Sequence, residues 1–167
     1  MSGSALNNLL RKLHQIEDSI LAILLFGMIL LAAAQIFLRN IFDSGIVWAD
    51  PLLRVMVMWI GLLGALAATR ENKHITIDLL PRFLSETMRE VVKVLTNLFS
   101  AGIAAIISYH SVRFVAMDYE SNSKVFSDIP AWTFELILPI AFGLISLRFT
   151  IHAILNVRAL MIKRRMG

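Results

Sequence analysis

Four long apolar stretches, separated by polar segments, dominate the chain at about residues 20–38, 51–69, 94–117 and 130–155. Each is long enough to cross roughly 30 Å of hydrocarbon as a helix, because an α-helix rises ~1.5 Å per residue. Pro139 lies inside the fourth stretch and predicts a kink there, since proline removes one helical hydrogen bond. The pattern predicts an all-α membrane protein with four transmembrane helices.

The first apolar stretch has a rival interpretation as a secretory signal peptide. Arg11 and Lys12 precede it, and residues 32–34 are three alanines that resemble a cleavage site. Glu17 and Asp18 interrupt the positive region, which favours a membrane span over a signal peptide.

Two amphipathic segments precede the first and third apolar stretches. In residues 6–20, leucine and isoleucine recur at helical spacing, with charged and amide side chains off that face. A second such pattern follows Ser85, a residue type that caps helix N-termini. We expect both segments to form helices lying in the membrane interface. For the N-terminal segment, the start of the first span is the alternative.

Composition agrees with a membrane protein and narrows the class. Hydrophobic residues make up 57% of the chain, charged residues 17%, and the mean hydropathy is +0.72, which is too apolar for a soluble domain. The length fits one integral-membrane domain over residues 1–167. The absence of cysteine excludes disulfides, thiol chemistry and cysteine-bound metals.

Lysine and arginine are distributed unevenly between the two ends of the apolar stretches. The N-terminal segment holds two, the loop between the second and third stretches five, and the C-terminal tail four, whereas the other two loops hold Arg39 and Lys124. Positive residues accumulate on the cytoplasmic side of a membrane protein, so both termini are predicted to be cytoplasmic. The net charge of +4 is therefore a topology signal, and nucleic-acid binding is not predicted.

Four of the polar side chains inside the apolar stretches lie near the predicted outer end: Gln35, Arg54, Arg113 and Glu135. Arg113 and Glu135 are a candidate ion pair in the outer leaflet. One hypothesis is an anion or substrate path through the membrane. We favour the other, in which the arginines extend to the interface and the pair orients two helices.

The histidines do not favour a haem or metal site, and no cofactor is predicted. His110 and His152 fall at opposite ends of their spans, while His74 and His152 are both near the cytoplasmic face. Haem needs paired, facing ligands, which a lone interfacial histidine does not supply. The sequence contains no catalytic constellation, phosphate-binding loop or metal motif, so an enzyme is not expected.

The second apolar stretch carries a small-residue face, formed by the pairs Gly61 with Ala65 and Gly64 with Ala68. Such spacing lets another helix approach closely in lipid. These four residues are predicted to contact another helix of this chain or another subunit.

Residues 47–80 form the least generic apolar segment. Asp50 is predicted to cap its helix, with Pro51 at the first helical position. Aromatic and charged residues occur there in a fixed order: Trp48, Asp50, Arg54, Trp59, Gly64-Ala65, Arg70, then Lys73-His74-Ile75-Thr76-Ile77-Asp78. This pattern resembles the small membrane subunit of tripartite ATP-independent periplasmic (TRAP) transporters. The family often has consecutive acids before the arginine, whereas Asp50-Pro51 leaves one acid for Arg54.

The resemblance implies a non-enzymatic subunit of the bacterial inner membrane. It implies assembly with a large membrane subunit that holds the substrate and sodium sites. A periplasmic binding protein would deliver an organic acid, such as a dicarboxylate or a sialic acid. The small subunit would scaffold the fixed part of an elevator-type transporter and contact membrane lipids. Two alternatives stay open: a self-sufficient small oligomeric transporter and a four-helix membrane cytochrome.

Overall fold

The computed structural model describes residues 2–70, 86–126 and 128–166. His74 and Asp78 lie outside these residues. The described chain is mainly helical, with one short hairpin. Its elements in order are α1 (Ser2–Phe42), α2 (Ala49–Ala68), α3 (Glu86–Ser121), β1 (Lys124–Phe126), β2 (Ile129–Pro130), α4 (Ala131–Glu135) and α5 (Ile137–Met166).

Four helical segments of the described chain are long and apolar enough to cross a membrane: Arg11–Phe42, Ala49–Ala68, Met88–Ser121 and Ala131–Arg158. This confirms the predicted all-α architecture with four spans. The cytoplasmic location of both termini stays a prediction.

Helix boundaries extend beyond the apolar stretches. The amphipathic segments are the first turns of α1 and α3, so they are continuous with the spans and not separate helices. Glutamate, lysine and arginine favour helix, and no proline interrupts either helix, so the loss of hydrophobicity does not end it. For the N-terminal segment, continuity with the first span is what the structure shows.

Both long helices end where a residue adopts a left-handed backbone. Asp43 follows α1 with φ 47°, and Asn122 follows α3 with φ 51°. After α3, the Asn122 N–H bonds the Tyr119 carbonyl and the Ser123 N–H bonds the Asp118 carbonyl. These are the two hydrogen bonds of a Schellman motif, with asparagine in the position that glycine most often takes.

The fourth span is interrupted close to Pro139, as the sequence predicts. The helix stops at Glu135 and resumes at Ile137. Proline lacks the N–H that would bond the carbonyl four residues earlier, which is that of Glu135, and its ring crowds this carbonyl. The break therefore lies one turn before the proline.

The chain divides into two compact units, Met1–Ala67 with Phe114–Ile137 and Ala68–Arg113 with Leu138–Gly167. In the first, α1 and α2 run antiparallel, with Gly27 close to the Met56 side chain. The single membrane domain over residues 1–167 stays a prediction.

In the second unit, the facing parts of α3 and α5 pack through small residues. The buried apolar side chains are Ala101 and Ala104 on α3 and Ala141, Ile145 and Ala153 on α5. Large apolar side chains such as Phe99 and Leu147 instead point outward. This arrangement suits a surrounding of lipid or another apolar protein.

Candidate functional site

The end of α1, the following loop and the start of α2 are joined by a polar cluster, which we call the α1–α2 junction (Gln35, Arg39, Ile46 and Asp50). Gln35 is 4% exposed. Its Oε1 accepts a hydrogen bond from the Ile46 N–H at 3.0 Å, and its Nε2 donates to the Ile46 carbonyl at 3.1 Å. The Gln35 side chain thus gives hydrogen-bond partners to both backbone groups of Ile46. Backbone groups of a loop at the end of a membrane span need such partners within the protein.

Asp50 completes the junction, in a role that the sequence did not predict. Its carboxylate accepts a hydrogen bond from Arg39 at 2.5 Å, and Gln35 Nε2 lies 3.4 Å away. Because α2 begins at Ala49, Asp50 lies inside the first turn, and the predicted N-cap role is wrong. Pro51 still lies in the first turn, where its missing N–H leaves no intrahelical bond unmade.

Arg54 is exposed, one turn further along α2. The acid that the sequence offered to Arg54 is bound by Arg39 instead. Among the described residues, no ion pair involves Arg54. Its guanidinium therefore projects from the surface of α2 close to the junction.

Two aromatic residues of the signature occupy different environments. The Trp59 indole Nε1 donates a hydrogen bond to the Phe134 carbonyl at 3.0 Å, which ties α2 to α4 within the first unit. Trp48 is 41% exposed in the loop before α2. The third tryptophan, Trp132, meets the Tyr119 ring edge to face with centroids 5.7 Å apart. Trp59 and Trp132 thus both have packing partners.

The small-residue face of α2 is open within the described chain. A Cβ added at Gly61 or Gly64 would meet no atom within 4 Å, and Ala65 and Ala68 are exposed. The side chains that α2 buries are Ala49 at its start and then Leu62 and Leu66. The described chain therefore packs α2 through its leucines, and the contact of the small-residue face with another subunit stays a prediction.

The remaining charged candidates belong to the two units as follows. Arg113 belongs to the second unit and Glu135 to the first, so their ion pair stays a prediction. Arg70, half-buried, directly follows Thr69 after the end of α2. Within the second unit, the Arg148 guanidinium lies 3.4 Å from the Thr69 hydroxyl.

His110 and His152, both in the second unit, have different neighbours. His110 is exposed and meets the Tyr109 ring edge to face, whereas His152 Nε2 lies 3.4 Å from the Thr69 carbonyl. No group of three histidine, aspartate or glutamate side chains in the described residues has a metal-binding arrangement.

The second unit contains a serine ladder between α3 and α5 that the sequence did not reveal. Ser108 Oγ donates to the Pro139 carbonyl at 2.9 Å, and Ser146 Oγ donates to the Ala101 carbonyl at 2.9 Å. A Cβ at Gly143 would lie 3.4 Å from Ser108 Oγ, so the helices approach closely. The signal was present in the heptad spacing of Asn97, Ala101, Ala104, Ser108 and Ser111.

Comparison with known proteins gives the family. The family model of the DctQ component of tripartite ATP-independent periplasmic transporters matches residues 28–159. The chain is 32% identical over 90 residues to the sialic acid TRAP transporter permease protein SiaT of Haemophilus influenzae (strain 86-028NP), which covers 54% of this chain and 14% of that protein.

Two small permeases match over longer regions. The C4-dicarboxylate TRAP transporter small permease protein DctQ of Pseudomonas aeruginosa is 28% identical over 107 residues, which covers 61% of this chain and 50% of that protein. The corresponding protein of Rhodobacter capsulatus is 27% identical over 119 residues, 71% of this chain and 52% of that protein. The chain thus matches about half the length of these two relatives.

The family match extends over most of the chain and includes the second, third and fourth apolar helices and the C-terminal part of the first. It identifies a transport component of the bacterial inner membrane that crosses the membrane several times, and not an enzyme. The chain belongs to the DctQ component family of the tripartite ATP-independent periplasmic transporters.

Proposed function

We propose that this chain is the small membrane subunit of a sodium-coupled, binding-protein-dependent transporter that imports an organic acid. In this function it binds a large membrane subunit and scaffolds it, while a periplasmic binding protein delivers the substrate transiently. The family match over residues 28–159 carries the proposal. The names of the relatives favour a sialic acid or a C4-dicarboxylate as the substrate.

The open face of α2 supports the scaffold function. Gly61 and Ala65 are exposed, and no atom of the described residues fills the space beside Gly61. In lipid, where water does not drive helices together, small residues permit the close approach that stabilises a helix pair. We infer that a helix of the large subunit packs there.

Affinity purification of the tagged chain in mild detergent tests the partnership, with mass spectrometry to identify what is retained. The expected result is a much larger polytopic membrane protein. Gly61→Leu should reduce its recovery strongly while leaving the melting temperature of the isolated chain unchanged, because the added side chain enters open space. Ala105→Leu, at an exposed position of α3, is the matched control and should retain the partner.

Two further measurements separate this function from its alternatives. Liposomes containing the chain together with its large subunit should take up the organic acid only with a sodium gradient and the binding protein. Flux through liposomes that contain this chain alone would instead identify a self-sufficient transporter. A Soret band in the purified protein would identify a membrane cytochrome.

A further inference from the structure

A groove opens along the α3–α5 pair near the C-terminal end of the fourth span. Its volume is about 230 Å³. The walls are Leu98 from α3 and Ile154, Val157 and Met161 from α5, with the buried Ala153 at the base. These α5 residues recur at three- and four-residue intervals, so they share one helix face.

The groove offers almost no polar group to a ligand along its length. Thr150 lines one end, but its hydroxyl already donates to the Ser146 carbonyl at 2.8 Å. The other lining side chains are hydrocarbon or thioether, apart from one. That exception is Arg158, which is exposed and lies at the last residue of the apolar helical segment.

Further basic residues follow Arg158 along the chain. The sequence adds Lys163, Arg164 and Arg165 directly after the groove. Positive charge therefore exceeds negative charge around this end of α5.

We propose that the groove binds one acyl chain of an anionic phospholipid and that Arg158 holds the phosphate of its headgroup. The apolar walls match a hydrocarbon chain, and guanidinium groups bind phosphate oxygens with charge-assisted, often bidentate hydrogen bonds. The positions agree with a lipid molecule, since the chain lies beside the span and the phosphate lies at its end. Basic pockets beside membrane helices bind anionic lipid headgroups in this way.

Lipid binding to the purified full-length chain in mild detergent tests the proposal, measured by native mass spectrometry. Phosphatidylglycerol should bind more tightly than phosphatidylcholine with the same acyl chains. Arg158→Gln should weaken phosphatidylglycerol binding about fivefold, which corresponds to ~1 kcal/mol per basic residue near the membrane surface. The matched control is Arg113→Gln, at an exposed arginine elsewhere on α3, and it should leave the affinity unchanged.

The acyl-chain part of the site has a separate test. Val157→Trp fills the groove from its exposed side and should weaken binding of both lipids, whereas Leu155→Trp, exposed on the same helix outside the groove, should not. Equal affinity for the two phospholipids, or equal effects of the Arg158→Gln and Arg113→Gln variants, would overturn the proposal. Competition by glycerophosphoglycerol, which has the headgroup without acyl chains, would reveal a site for free phosphate esters and would also overturn it. So would loss of lipid from the complex with the large subunit, since the groove would then be a protein interface.

Discussion

The Gln35 side chain pairs with the backbone of Ile46 in both directions, donating to its carbonyl and accepting from its N–H. A neighbouring β-strand would offer a loop residue the same two bonds. The Gln35 amide takes the place of that strand at the end of two membrane helices, where a backbone group without a hydrogen bond has a high free-energy cost. The conformation of the α1–α2 loop therefore depends on a side chain eleven residues away in sequence.

Gln35→Ala should lower the free energy of unfolding by about 1–3 kcal/mol, because it leaves the two backbone groups of Ile46 without their partners. Thermal unfolding of the purified chain in detergent measures this loss. Gln15→Ala, at an exposed position of the same helix, is the control and should have little effect. Equal melting temperatures for the two variants would show that the amide does not hold the loop.

The Arg39–Asp50 pair should contribute much less than Gln35 despite its short distance. The two side chains are 59% and 44% exposed, so water and salt screen their attraction. A double-mutant cycle with Arg39→Gln and Asp50→Asn should give a coupling energy below about 1 kcal/mol. The coupling should fall as salt is added, and a value above 2 kcal/mol that is independent of salt would contradict this expectation.

Sequence patterns were sufficient to predict the transmembrane helices but not the side-chain contacts between them. The number of spans follows from the length of the apolar stretches, and the break before Pro139 follows from the missing N–H of proline. Asp50 shows the limit. The same carboxylate suits an N-cap, an ion pair with Arg54 or an ion pair with Arg39. Which of these roles Asp50 takes depends on the path of the α1–α2 loop, and no local sequence pattern encodes that path.

Gly61 and Ser146 show the same limit in helix packing. Small residues indicate that two helices approach closely, but they do not say which helices. The conspicuous glycines of α2 contact no side chain among the described residues, whereas less conspicuous serines on α3 and α5 form the internal contact. Which helices pack against each other depends on the face that each helix turns towards the interior. That orientation is set by the whole chain.

Trp59→Phe should destabilise the first unit by about 0.6 kcal/mol, the average for a polar contact between membrane helices. Phenylalanine retains most of the apolar surface but cannot donate to the Phe134 carbonyl. Thermal unfolding and near-ultraviolet circular dichroism would detect the change. Trp48→Phe removes an exposed indole and serves as the comparison. If both variants lose the same stability, the Trp59 hydrogen bond is not the cause.

Asn97→Ala should leave the free energy of unfolding unchanged or raise it. Asn97 is fully buried, and neither polar atom of its side chain has a hydrogen-bond partner among the described residues. Removing an unpaired buried amide relieves a desolvation penalty of about 1–3 kcal/mol, which offsets the small cavity that remains. Ser146→Ala, on the facing helix, should instead lose stability because it removes the bond to the Ala101 carbonyl. The order of the two melting temperatures checks the prediction, and a lower value for Asn97→Ala would contradict it.

The unbroken helix α1 has a mechanical consequence. Its 41 residues extend ~60 Å, about twice the hydrocarbon thickness of a bilayer. Even at the steepest tilt usual for membrane helices, ~40°, roughly 26 residues suffice to cross the hydrocarbon and about 15 remain outside. A larger tilt of α1 therefore places more of its residues in the hydrocarbon and leaves fewer outside. A thicker bilayer draws the first turns of α1 inward, and a thinner one releases them, so this end of the helix responds directly to hydrophobic mismatch.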